Sequence, residues 1–340
     1  MIYLTFFPDY KNHTNVNGNA IASEKLFLKY SKKKDIKLDT TSWNPYLTKI
    51  KKILFSVYAI ILLIFKKQKS LYTVLLDNFG FYPHILFLFV ASFFSQKIIV
   101  YHHSFKYVTE KKTFLYLLNS KNIINVATSK KQFRVLKTKY NLKNVYLVEN
   151  FIFLLDNNTN LKVKAKKKYN IIFFSSIMER KGIFDFIDLS KKFYKKKNMN
   201  FFVYGNDCSP AMLKNLKDLK KQKIIKDFQL NIYGKSKEKV FSKNDILIFP
   251  SKHQSETTPL VLDESINYGL VPISYNIGDT KGQIGHLHLV VNSFNQLCKT
   301  LLVTIKNYTQ VKKKIIKEKR NKLIKKISQQ KKLDFFFKEI

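Results

Sequence analysis

The chain has 340 residues, 45% apolar and 15% aromatic, enough to bury a sizeable core and to exclude an intrinsically disordered chain. Its 62 basic side chains outweigh 23 acidic ones, and the formal charge of +39 favours anionic partners: nucleic acid, an acidic polymer or the cytoplasmic leaflet of a membrane. Abundant Lys, Asn, Ile, Phe and Tyr fit a bias toward A/T-rich codons equally well, so the charge alone names no partner.

The opening MIYLTFFPDYKNHT lacks the basic and apolar regions of a signal peptide and reads as a strand with its following loop. Short apolar runs then alternate with helical patterns, as in a doubly wound α/β domain. The expected strands of the first half are Ile2–Phe7, Ile36–Thr41, Thr73–Asp77, Lys97–His102, Ile123–Ala127 and Val145–Val148. After the first comes a polar loop in which Gly18 and Asn19, at the helix junction, let the backbone approach a phosphate or a sugar. A plain loop fits the same residues, since no GxGxxG is present.

Ile53 to Phe65 is a run of thirteen residues, apolar apart from Ser56, with lysines at both ends. That is short of the ~20 residues of a spanning helix, so no transmembrane span is expected. A buried crossover helix and a helix lying in a membrane interface both remain open for it. The strand ending at Lys97–His102 delivers His102 and His103 to its carboxyl end, where open α/β sheets hold ligands. No further Cys, His or Asp cluster joins them, and Cys208 and Cys298 stand apart, so no metal site is expected. The unpaired cysteines also fit a reduced, cytoplasmic compartment.

DNNTNLKVKAKKK, Asp156 to Lys168, has little to bury and reads as the linker between two domains. Alternation then restarts with strands Asn170–Phe174, Asn200–Tyr204, Gln229–Tyr233, Asp245–Phe249 and Leu270–Tyr275. MERKG at the first strand-to-helix turn places Arg180 and Lys181 where cations reach a diphosphate. YGN and YGK end two strands, and the second offers Gly234 and Lys235 to a base or ribose.

FPSKHQSETTPLVLDESINYGLVPIS, Phe249 to Ser274, carries the strongest punctuation. A buried strand leads into a loop; Thr258 is placed to cap a helix whose first residue is Pro259, and Gly269 to end it. Glu256 in the loop and Glu264 in the helix flank a helix N-terminus that favours an anion. Carboxylates there accept hydrogen bonds from sugar hydroxyls, although two solvated acids near a favourable dipole end have the same spacing.

The pattern E-x7-E with a following S-x-x-x-G-x-x-P-I, carried by Ser251, Glu256, Pro259, Leu260, Val261, Glu264, Gly269, Pro272 and Ile273, resembles the retaining nucleotide-sugar glycosyltransferases of the GT-B fold, family 4. The resemblance implies two Rossmann-like doubly wound domains facing across a cleft: residues 1–155 for the acceptor, 169–310 for the donor, and helices in 311–340, the last crossing back to the first domain. It implies that Glu264 holds the ribose, and that Glu256 with Thr257, Thr258 and Leu260 holds the donor sugar and phosphates. Lys181 and Arg180 would offset charge on the leaving diphosphate, and His103 would face the reacting sugar. An Arg usual five residues before that Lys is here Ser176. The implied substrates are a UDP- or GDP-sugar of hexose type and a glycan or polyprenyl-linked acceptor, as in surface polysaccharide synthesis. No metal or other cofactor is implied, and an anionic membrane surface is a further partner, on the inner face of the cell membrane.

The competing class is a non-catalytic basic α/β protein binding nucleic acid or an acidic polymer. Nucleic acid is not expected, because the aromatics lie inside apolar runs and form no basic stacking platform.

Overall fold

The computed structural model describes the chain apart from residues 6, 9–17, 41–44, 66–67, 76–80, 107–109, 111–113, 155–160, 162, 164 and 339–340; of residues 18, 19, 45 and 338 it describes only the backbone. The chain forms two units, Met1–Phe153 with Ile327–Ile340, and Leu154–Lys326.

The first unit contains β1 (Ile2–Thr5), α1 (Gly18–Tyr30), β2 (Ile36–Asp39), α2 (Pro45–Ile64), β3 (Ser70–Leu75), α3 (Phe81–Phe94), β4 (Lys97–His102), β5 (Ile123–Ala127), α4 (Lys130–Thr138) and β6 (Val145–Leu147). Its six strands are parallel in the order β2-β1-β3-β4-β5-β6. Strands of a parallel sheet are covered on both faces, so they read as continuous apolar runs rather than alternating ones. Ile98, Ile99 and Val100 of β4 are completely buried, as are Leu71 and Tyr72 of β3.

The second unit repeats the plan with β7 (Tyr169–Ser176), α5 (Ile183–Phe193), β8 (Met199–Asn206), α6 (Pro210–Lys221), β9 (Asp227–Leu230), α7 (Gly234–Lys243), β10 (Ile246–Phe249), α8 (Leu260–Asn267), β11 (Val271–Tyr275), α9 (Thr280–Ile284), β12 (Val290–Val291), α10 (Phe294–Lys306) and α11 (Tyr308–Lys338). Its strands are parallel in the order β12-β11-β10-β7-β8-β9. Asp245, buried just before β10, accepts hydrogen bonds from Lys166 (2.6 Å), the Asn170 N–H (3.0 Å) and the Tyr308 hydroxyl (3.2 Å), tying the chain's entry into this unit to α11.

The two doubly wound α/β domains of the sequence reading are present, with differences at particular strands. β9 lies two to three residues before the expected Gln229–Tyr233, because Asn231 adopts φ 55° and Tyr233 already caps α7. β12 has only two residues, too short to leave a periodic signal. β3 starts at Ser70 rather than Thr73, and its expected end at Asp77 lies outside the described residues. The tail is one helix, α11, where several were expected. Its last part packs in the first unit, where Phe337 stacks on Tyr30 with centroids 4.5 Å apart and the Tyr30 hydroxyl donates to Asp334 at 2.7 Å.

Candidate active site

The order of the second sheet turns around between β7 and β10: β8 and β9 extend one side, β11 and β12 the other. At such a point the loops leaving the carboxyl ends of the strands diverge to opposite faces, and a ligand crevice opens between them. Here the two loops are stitched together through their backbones. The Lys252 N–H donates to the Arg180 carbonyl at 2.9 Å. Gly182 adopts φ 81°, and a Cβ on it would lie 1.9 Å from the Pro250 carbonyl oxygen. Glycine is therefore required there both for the left-handed backbone and for the close approach. The Gly of MERKG is what lets the charges of one loop face those of the other.

Lys181 ends a single 3-10 turn, Glu179–Lys181, and its ammonium forms an ion pair with the Glu256 carboxylate. Glu264, in the middle of α8, pairs with Lys237 of α7 at 2.7 Å. The two carboxylates are 14% and 15% exposed and their lysines 19% and 23%, so salt screens these pairs less than it would surface pairs. The Lys237 ammonium also lies 5.1 Å from the centre of the Phe174 ring, an additional attraction for the cation. Both acids of the E-x7-E pattern thus converge on the crevice, each holding a lysine. A diphosphate and the hydroxyls of a ribose or sugar fit such a pair of pairs, since phosphate takes the lysines and hydroxyls donate to the freed carboxylates.

Behind α8 runs a second network. Asp263 faces inward, 2% exposed, and is ion-paired with Lys322 of α11, itself 4% exposed. The Gln283 amide donates to Asp263 at 2.6 Å and to the Pro259 carbonyl at 2.8 Å. Three helices, α8, α9 and α11, are joined there, which fixes the rotation of α8 and hence the direction of Glu264. In front, the Asp279 N–H donates to the Thr257 carbonyl at 2.9 Å, so the loop before α9 backs onto the loop that carries Glu256.

Several expected site residues stand elsewhere than the sequence reading put them. Thr258 does not cap α8: Pro259, extended at ψ 120°, is the cap residue and Leu260 the first helical one. Gly269 does close the helix, with φ 75°. Thr257 is buried and Leu260 half-buried in the same loop and first turn. Ser176 donates to Asp207 at 2.6 Å, at the neighbouring strand end. Arg180 is exposed, and its carbonyl is the part bonded into the fold. Gly234 and Lys235 begin α7 rather than ending a strand, and Lys235 is exposed. Lys237, not singled out from sequence, is the lysine that meets Glu264.

In the first unit, His102 ends β4 and is bonded to Asn125 at 2.9 Å; burial pushes its imidazole down to about 4, with the Asn125 bond opposing. Burial pushes His103 down to about 3, with His102 adding to the effect. Both are neutral at pH 7, so they exchange hydrogen bonds rather than charge. Gly18 and Asn19 open α1, and their side chains lie outside the described residues. No cluster of three or more His, Cys, Asp or Glu able to hold a metal occurs among the described residues.

Comparison with solved structures finds the same fold along the whole chain. A glycosyltransferase from Rickettsia africae matches with TM-score 0.65 at 14% identity, covering 99% of this chain and 97% of that one. WaaG, a glycosyltransferase involved in lipopolysaccharide biosynthesis, matches with TM-score 0.63 at 10% identity over 99% of both chains. HepE from Anabaena, solved with UDP-glucose, matches with TM-score 0.60 at 10% identity, covering 90% of this chain and 86% of that one. These likenesses make the fold GT-B. No curated protein matches the sequence. The family model described as glycosyl transferases group 1 matches residues 156–333, more than half of the chain and the part that holds both ion pairs. The chain belongs to the group 1 glycosyl transferases.

Proposed function

We propose that the chain is a retaining enzyme of family 4 that moves a hexose-type sugar from a nucleotide diphosphate to a glycan or polyprenyl-linked acceptor in surface polysaccharide synthesis. The observation that carries the donor half of this reading is the pair of lysine–glutamate contacts at the reversal point of the second sheet. Glu264 accepts from the ribose hydroxyls. Glu256, with the Thr257 to Leu260 backbone and Thr258, holds the donor sugar and phosphates, and Gly234 leaves room for the base.

Lys181 and Lys237 are released from their carboxylates by the incoming diphosphate, and with Arg180 they offset the negative charge that grows as the diphosphate leaves. Preorganised cations do this without a metal, because their field is already in place when the charge develops. Lys237 takes the role of the arginine that Ser176 replaces, while Lys235 remains solvated. His103 supplies a neutral hydrogen-bonding group to the reacting sugar. The anomeric configuration is retained, as the resemblance to family 4 implies. HepE, which shares the fold, is known with UDP-glucose, which supports trying UDP alongside GDP as the donor nucleotide.

Thermal unfolding in the presence of UDP, GDP or ADP tests the reading. One diphosphate should raise the unfolding temperature, and Glu264→Ala should abolish that shift. No shift with any nucleotide, together with salt-sensitive binding to nucleic acid, would move the chain to the non-catalytic basic class.

A further inference from the structure

From Ile53 onward helix α2 is apolar apart from Ser56, yet only one of its faces is covered. Ala59, Leu62 and Leu63 are buried in the core of the first unit. Ile50, Ile53, Leu54, Val57, Ile61 and Ile64 recur at helical spacing on the opposite face and are 44% to 62% exposed. The neighbouring helix α3 packs against α2 and repeats the arrangement, with Leu86 and Phe93 turned outward. Tyr82 of α3 meets Phe114 edge-on at 6.0 Å, which extends the apolar surface onto the 3-10 turn Leu115–Leu118. Most of the exposed large apolar side chains among the described residues fall between residues 46 and 116. Scattered apolar residues on a surface need no explanation, but a contiguous two-helix face does.

The charges on the two helices are of one sign. Neither α2 nor α3 contains an Asp or a Glu. Lys49 and Lys51 are exposed in the first turns of α2, and Lys69 is exposed beyond its end. Tyr46, Tyr58, Tyr82 and Tyr116 are exposed on the same segments, aromatic bodies with a polar tip of the kind that settles at a lipid–water boundary. A second copy docking here would set lysine against lysine. Among the described residues no helix is long and apolar enough to cross a membrane, so the face suits a helix lying in the interface rather than one spanning it.

We propose that the outward face of α2 and α3 docks on an anionic lipid bilayer, with the apolar side chains entering the acyl boundary and Lys49, Lys51 and Lys69 meeting the headgroups. Apolar burial supplies the hold and the lysines select the charged leaflet. The surface belongs to the first unit alone and does not depend on the assignment of the donor site.

Co-sedimentation of the full chain with phosphatidylcholine vesicles, with and without phosphatidylglycerol, tests it. Binding should require the anionic lipid, and a triple variant, Ile53→Glu with Val57→Glu and Ile61→Glu, should weaken it at least about tenfold. Ile324→Glu, an exposed position on α11, should leave binding unchanged. Because all three side chains already face solvent, the triple variant should unfold at the same temperature as the parent. Should it misfold, hydrogen exchange on the parent decides: vesicles should slow exchange across residues 50–64. Vesicle binding unaffected by the triple variant, no binding by the parent, or unchanged exchange in α2 would each overturn the proposal. So would a stable dimer in lipid-free solution that the triple variant separates.

Discussion

The two units are wound alike and differ in where their charges gather. In the first, the histidines His84, His102 and His103 are buried and neutral and the Met1 amino group forms a buried pair with Asp35, while apolar side chains face outward on α2 and α3. In the second, charges meet as pairs at the sheet crevice and behind α8, and the helices are amphipathic, with apolar residues inward and lysines outward. A doubly wound sheet fixes where a crevice lies, but the residues of its loops and outer helix faces decide what each copy of the plan is for. Here the second copy gathers paired charges at its sheet crevice, and the first leaves apolar side chains exposed on α2 and α3.

Acid should separate the two copies most strongly. His84, His102 and His103 are all held below the ordinary histidine range by burial, with Lys52 adding to the effect at His84. The unfolded chain takes up protons near pH 6.5, whereas folded His102 does so only at about 4 and folded His103 at about 3, with His84 lowered in the same direction. The stabilisation is therefore complete above pH 6.5 and is lost as pH falls through that window, at roughly 1.4 kcal/mol per group per pH unit. In the second unit His253 and His286 are half-buried, and His288, though exposed, is also held below the ordinary range by partial desolvation, with His286 and Lys314 adding to the effect. Calorimetry from pH 7 to pH 5 should show the transition of the first unit, with its three fully buried histidines, dropping further than that of the second. Two transitions that fall together would erase the contrast.

A second break runs through the buried pair of the donor unit. Asp263→Ala leaves the Lys322 ammonium buried without its carboxylate, and such a cut costs about 3–5 kcal/mol. Replacing both, as Asp263→Ala with Lys322→Met, should recover most of that loss, since a matched apolar pair carries no desolvation penalty. Chemical denaturation of the four proteins of the cycle gives the comparison. Equal losses for the single and double variants would mean that the pair does not hold α8.

The parallel strands were legible in sequence because burial on both faces leaves unbroken apolar runs such as Ile98–Val100 and Ile246–Phe249. The edge strands were not: β9 reads DFQL, half exposed, and β12 has two residues. Glu256, Glu264 and Lys181 were legible because a family pattern fixes them. Asp263 was not, because its partner lies 59 residues away on a helix whose lysines all look alike in sequence. Thr258 looked like a cap because Thr-Pro commonly starts a helix, but an extended Pro259 moves the start one residue on. The outward apolar stripe of α2 was visible only as hydrophobicity; which face is covered depends on what packs against it.

Lys235 and Lys237 give the finest test of the contrast, because they differ by two residues and by which way they face. YGK read as a strand end puts Lys235 at the ligand. Tyr233 instead caps α7, so Lys235 lies in its first turn, exposed, and Lys237 lies further along, against Glu264. Residues two apart on a helix point to well-separated directions, so only one of them can serve the crevice. Lys237→Met should lower affinity for the stabilising nucleotide by about tenfold, equivalent to about 1.4 kcal/mol, the scale of one charge-assisted hydrogen bond. Lys235→Met should change it by less than about twofold, as expected for a solvated charge. Titration calorimetry with the diphosphate and with the matching monophosphate distinguishes the cause. If Lys237 holds the diphosphate, its loss penalises the diphosphate more than the monophosphate; if it only orients Glu264 toward the ribose, both weaken alike.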